Sequence, residues 1–231
     1  MTKMIKIIFL TISFFVFSCT SDEIRKNEAK DFLGVYKNVV KAIKAEDIQE
    51  NFLAKTKKTS KWLSKFNQPI ILIASNNEKV QATLVALGNN KEKLTWVSSD
   101  GISLSYDTGI LIATRGFTRD LMSLNHPKLK KPFRALNKSY FKTHRFLDST
   151  NQYEDIKFTC VMKKNPNSRL SILEYKILTT HLIEHCESNF HAYTNEYYLL
   201  PGTDIVLKSK QWISPTNGSF ITYNYYAFQQ K

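Results

Sequence analysis

The chain has 231 residues, three of them cysteine, and its 33 Lys and Arg outweigh 20 Asp and Glu to give a formal charge of +13 at neutral pH. That length suits one large β domain or at most two small ones, and no stretch supplies the ~20 apolar residues that a membrane-spanning helix needs. The basic excess by itself names no partner.

Lys3 and Lys6 precede an apolar run, Ile7 to Phe17, and Ser18 is the small residue of a cleavage site, so residues 1–18 read as an export signal. Val16-Phe17-Ser18-Cys19 resembles the bacterial lipobox, in which cleavage leaves a cysteine whose thiol and amino group carry acyl chains. A plain secretory signal with an incidental cysteine is the alternative. The expected cofactor set is therefore none beyond a covalent lipid on Cys19, and several chains on one residue anchor stably at about 0.8 kcal/mol per buried CH₂. Residues 19–27 read as a lipidated flexible tether, and 28–231 as a single β-rich domain. With Cys19 lipidated, Cys160 and Cys186 form an even pair in a chain sent to an oxidising compartment, and a disulfide is expected, two free buried thiols being the alternative. Closing that loop would stabilise the fold by about 3 to 4 kcal/mol in the chain-entropy model.

Phe32, Val35, Tyr36, Val39, Val40 and Ile43 recur at three and four residue spacing, which predicts an amphipathic helix over roughly Ala29 to Ala45. A second short helix is expected within Asn51 to Phe66. Past Pro69 the character changes. "PIILIAS", "KVQATLVAL", "LTWVSSDGISLSY" and "GILIATRGF" are β-branched or alternating runs broken by turn residues, with Asp100-Gly101 the sharpest hairpin signal. Leu121 to Leu147 holds seven Lys or Arg and no acid, and reads as a long connection or lid. Strands return with "YEDIKFTCVMKK", "LSILEYKILTTHLI", "FHAYTNEYYLL", "DIVLKSKQWIS" and "SFITYNYYAF". The expected fold is mainly β, an antiparallel meander barrel or sandwich with an N-terminal amphipathic helix.

Leu94 to Leu121 resembles the signature of the group 4 capsule polysaccharide lipoprotein family, also called YjbF. That pattern is met by Trp96, Asp100, Gly101, Gly109, Thr114, Gly116, Phe117, Asp120 and Leu121, and the family's closing strands by Ser209, Gln211, Trp212 and Pro215. The resemblance implies a β protein anchored in the outer membrane and facing the periplasm, with polysaccharide-export proteins as partners. It implies an accessory role in capsule or exopolysaccharide export, without a catalytic residue. Thr20 after Cys19 is compatible with outer-membrane sorting.

Two other function classes compete. His181, Glu184 and His185 match the H-x-x-E-H motif of zinc hydrolases, with His191 as a possible third ligand, but the motif needs a helix to put both imidazoles on one face beside the glutamate. In a strand His181 and His185 share a face and Glu184 points away, so no metal is expected. Glu154 and Asp155, adjacent in a strand, would likewise face opposite ways and suit glycoside cleavage poorly. No nucleophile elbow or P-loop is present. The third class is a structural partner of a secretion complex, working through sheet edges.

For the binding reading the candidate is the basic segment. Lys128, Lys130, Lys131, Arg134, Lys138, Lys142 and Arg145 alternate with Phe133, Tyr140, Phe141 and Phe146, cations for acidic groups and rings for sugar faces. Arg115 and Arg119 would extend it. A solvated loop tied down by its aromatics is the competing reading. An exported protein points to an acidic polysaccharide or an anionic lipid headgroup rather than nucleic acid, and Trp96 and Trp212 are expected in the core.

Overall fold

The computed structural model describes residue 66 and residues 68–76, 81–90, 93–126, 132–134, 136–147, 152–173 and 175–229. These form β1 (Ile70–Ser75), β2 (Gln81–Asn90), β3 (Lys93–Val97), β4 (Ser103–Asp107), β5 (Ile110–Arg115), β6 (Leu121–Asn125), β7 (Ser139–Leu147), β8 (Tyr153–Lys164), β9 (Ser168–Ile172), β10 (Tyr175–Glu187), β11 (Ala192–Leu199), β12 (Val206–Ser214) and β13 (Gly218–Tyr223). A short 3-10 turn, Pro132–Arg134, precedes β7, and a short helix, α1 (Tyr226–Gln229), follows β13. The strands run in the order β5-β4-β3-β2-β1-β13-β12-β11-β10-β8-β7-β6, with β9 paired to β10 off this path. Consecutive strands β5 and β6 stand at opposite ends of that order and yet touch, so the sheet curls into a nearly closed antiparallel barrel.

Side chains close the β5–β6 seam. The Thr114 hydroxyl donates to Asp120 Oδ1 (2.9 Å) and accepts from the Leu121 N–H (2.9 Å). Asp120 in turn accepts from the N–H groups of Gly116 (3.1 Å) and Phe117 (3.2 Å). Gly116 has φ +93°, and a Cβ there would lie 3.2 Å from Ile102 Cα, so both the turn and the close approach call for glycine.

Alternation with a period of two sorts each strand into the lumen and the outer face. In β7, Tyr140, Lys142, His144 and Phe146 are buried while Phe141 and Arg145 are exposed. In β10, Leu182, Glu184 and Cys186 are buried and His185 and Glu187 exposed. The lumen is packed rather than hollow for most of its length. One apolar cluster gathers Phe158, Met162, Leu182 and Tyr197, another Ile73, Leu84, Trp96, Leu104 and Phe146, and Trp212 packs against both. Trp96 and Trp212 are thus core residues.

The expected antiparallel β barrel is present, and most of its hairpins fall at the anticipated turns. "LSILEYKILTTHLI", however, is not one strand: the chain turns at Leu173 (φ +55°) and splits it into the hairpin β9–β10, while Gly88 to Asn90 lie inside β2. Asp100 accepts from the Ser98 hydroxyl between β3 and β4, with Gly101 at φ +90°. Leu121 to Leu147 departs from expectation. It is not a connection or lid but contributes β6 and β7, two staves of the wall, because its buried residues at 140, 142, 144 and 146 hold strand phase. The two β stretches on either side of it are therefore one barrel. "SFITYNYYAF" is strand only to Tyr223 and then turns into α1. The signal, Cys19, the tether, the helix expected over 29–45, residues 51–65 of the second expected helix, and Lys128, Lys130 and Lys131 lie outside the described residues.

Candidate functional site

The lumen carries a polar network centred on Glu184, which is fully buried. Its Oε1 meets Lys142 Nζ at 2.6 Å and accepts from the Tyr140 hydroxyl. Its Oε2 accepts from Asn195 Nδ2 at 2.8 Å and from the Tyr197 hydroxyl at 3.3 Å. Burial alone would raise the Glu184 pKa, but the Lys142 ammonium and the hydrogen bonds of Lys142, Tyr140 and Asn195 more than offset it and hold the carboxyl below its ordinary value. Asn195 extends the network by accepting from the Trp212 N–H at 2.7 Å. Gln211 crosses to β5, accepting from the Leu111 N–H and donating to the Gly109 carbonyl, both at 2.9 Å. A carboxylate with no exposed surface and both oxygens bonded is an anchor for strands, not an acid or base presented to substrate.

Beside it, His144 sits among Phe158 (4.9 Å between ring centres), Trp212 (5.5 Å) and Phe146 (6.0 Å). Burial first, then the charges of Lys142 and His126, push its pKa well below the usual histidine value, so the ring is neutral at physiological pH. Its Nε2 faces the Tyr193 hydroxyl at 3.4 Å, and its Nδ1 has no hydrogen-bond partner among the described residues.

The zinc reading is corrected by strand geometry. His181 lies on the outer face, stacked on Tyr198 at 4.3 Å with Nε2 3.2 Å from Glu196, and His185 is exposed against Thr194 at 3.0 Å. Glu184 projects into the lumen, so the three do not converge. Cys160 and Cys186 approach Glu184, but they face each other across β8 and β10 and are joined as the expected disulfide, which removes both thiolates. Glu154 and Asp155 also separate, the first pairing with Arg119 and the second with Arg145.

The basic patch is corrected too. Lys142 is inside the barrel, paired with Glu184 and 1% exposed. Arg145 faces outward, with Nε and a terminal nitrogen each 2.7 Å from Asp155. Arg134 and Lys138 are exposed just before β7, Arg134 within 3.9 Å of Asp204. Arg119 lies over the Phe146 ring, and Arg115 reaches the Leu121 carbonyl (3.3 Å), so neither extends a patch. What the outer face does assemble is a groove of about 660 Å³ lined by Phe141, Asp155, Lys157, Glu187, Phe190 and His191. Phe190 is 90% and Phe141 57% exposed, and Lys157 Nζ lies 4.2 Å from the Phe141 ring centre. Phe190 and Lys157 were not singled out from the sequence. Phe190 stands in a Ser-Asn-Phe-His turn where no core position calls for an aromatic, and that mismatch is the available signal.

The family signature maps onto joints of this barrel. Trp96 packs in the core, Asp100 and Gly101 turn a hairpin, and Thr114, Gly116 and Asp120 close the seam. Gly109, at φ +83°, lets the β4–β5 turn approach Val206, and Ser209 and Gln211 latch β12 to that turn. Pro215 lies in the β12–β13 turn, half-buried. Residues 39–223 match the family model described as "Group 4 capsule polysaccharide lipoprotein gfcB, YjbF". The chain belongs to this family. Membership places it with capsule polysaccharide lipoproteins of the cell envelope. The crystal structure of the hypothetical lipoprotein YmcC from Escherichia coli (K12) shares the fold, with a TM-score of 0.63 at 14% identity over 77% of this chain and 95% of that one. Among curated proteins no sequence matches the chain.

Proposed function

We propose that this member of the YjbF family is a non-enzymatic accessory lipoprotein of polysaccharide export, held at the outer membrane through Cys19, facing the periplasm and binding the glycan on its outer face. The supporting observation is the groove, lined by two exposed rings, Phe141 and Phe190, with Lys157 over the first of them. Large exposed apolar side chains gathered in one depression mark an interaction site, and flat rings beside a cation suit sugar faces bearing acidic groups. The groove lining carries Glu154, Asp155 and Glu187 against Lys157, and it is nearly balanced in charge only because Arg119 holds Glu154 and Arg145 holds Asp155. Preference for an acidic polymer therefore rests on Lys157 together with the basic residues that lead into β7, Lys128, Lys130, Lys131, Arg134 and Lys138.

The test is retention of the purified protein on an immobilised acidic exopolysaccharide. Phe141→Ala with Phe190→Ala should abolish retention at unchanged melting temperature, and reversing the charge of Lys130, Lys131 and Arg134 should weaken it for acidic but not neutral polymers. Unaltered retention in the double alanine variant would overturn the site.

A further inference from the structure

We propose a second binding site, for a single acyl chain, at the barrel mouth framed by the β4–β5 turn, the β11–β12 turn and α1. A cavity of about 340 Å³ opens there, within the span of roughly 300 to 1,000 Å³ typical of small-molecule sites. Its walls are Ile71, Trp96, Tyr106, Val206, Tyr226 and Ala227. The polar atoms of the inner wall are turned toward the protein. The Tyr106 hydroxyl pairs with Thr222 Oγ1 at 2.8 Å, and Ser209 Oγ accepts from Gln211 Nε2 at 2.9 Å. Asn224 donates through Nδ2 to the Val206 carbonyl at 2.9 Å, and its Oδ1, without a partner among the described residues, is buried.

Such a wall offers a sugar few groups to bond, and burying apolar surface against it favours an apolar guest. Polar residues appear on the framing turns, Thr108 on one and Asp204 on the other, with Arg134 3.9 Å from Asp204. Ile205, 46% exposed beside Asp204, adds an apolar step at the frame. An apolar interior below a zwitterionic frame fits a hydrocarbon tail whose polar end stays in water. The lipobox reading of Val16 to Cys19 makes acyl chains the apolar groups this protein is bound to meet. The occupant is one such chain, either its own anchor or that of another lipid. The site is distinct from the glycan groove and does not depend on it.

Trp96 in the wall is a built-in reporter. Bromine-labelled dodecanoate added to the full chain carrying Cys19→Ser should quench fluorescence saturably at one molecule per protein. Trp96→Phe should remove most of the quenching while calorimetry still detects binding. Ala227→Phe, filling the cavity from α1, should weaken binding at least tenfold at unchanged melting temperature. The lipidated wild type in nanodiscs separates the sources: no uptake there with uptake by the Cys19→Ser protein assigns the site to the protein's own anchor, and equal uptake assigns it to a separate lipid. Absence of saturable quenching, equal affinity in Ala227→Phe, or displacement by a neutral disaccharide but not by unlabelled dodecanoate would overturn the proposal.

Discussion

Lys142 and Arg145 lie three residues apart on β7, yet one is sealed inside the barrel against Glu184 and the other lies on its surface against Asp155. Odd spacing on a strand puts them on opposite faces. The lesson is energetic. In the lumen a carboxylate is tolerated only because four donors surround it, so the pair is coupled to every strand that supplies one. On the outer face water already solvates both charges, and the Arg145 pair adds little.

The largest effect should come from breaking the inner pair on one side only. Lys142→Met or Glu184→Leu alone should cost about 3 to 5 kcal/mol, because an uncompensated charge is left buried, whereas the double variant should recover most of that loss. Urea denaturation of the three variants checks this, and equal losses in singles and double would break the contrast. A smaller loss is expected at the seam. Thr114→Val leaves the buried Leu121 N–H unpaired and should cost about 1 to 3 kcal/mol in the same assay.

Acid sharpens the comparison further. The unfolded chain protonates histidine near pH ~6.5, while folded His144 is held well below its ordinary value. Stability is therefore full above that pH and falls as pH drops below it, since the unfolded state binds the extra proton. His126, lowered in the same direction mainly by burial, adds to this slope. Glu184 has the same sign at lower pH: its contribution is present above the unfolded carboxylate value, about 4.3, and is lost as pH falls through its depressed folded value. Melting temperatures from pH 7 to 4 should decline, and His144→Phe should flatten the first part of that decline. The smallest effect belongs to the surface. Arg145→Ala should leave the melting temperature unchanged, and a clear loss would show that the outer pair is also structural.

The fold was legible where local chemistry is strong. Asp100-Gly101 sets a hairpin because glycine accepts a positive φ, the isoleucine-rich run 70–75 reads as a strand buried on both faces, and 103–107 and 192–199 alternate cleanly enough to be read as strands. The charge of segment 121–147 suggests a connection, whereas its phase specifies strand. Tyr140, His144 and Phe146 share parity with Lys142, and that pattern already placed the lysine among core positions. The opposition of Glu184 to His181 and His185 was readable by the same rule. The groove was not, because Phe141 and Phe190 are 49 positions apart and are brought to one depression only by the β7–β8–β10 ladder.

By itself the sequence determined the strand periodicity, most of the turns, the family signature and the pairing of Cys160 with Cys186, all of which rest on local geometry or on counting two partners. Only the tertiary structure decided which carboxylate meets Lys142, that Thr114 and Asp120 close the wall, and that Phe190 and Phe141 line one groove. The physical reason is that strand phase selects a face, but the closure and register of the barrel select the neighbour on that face.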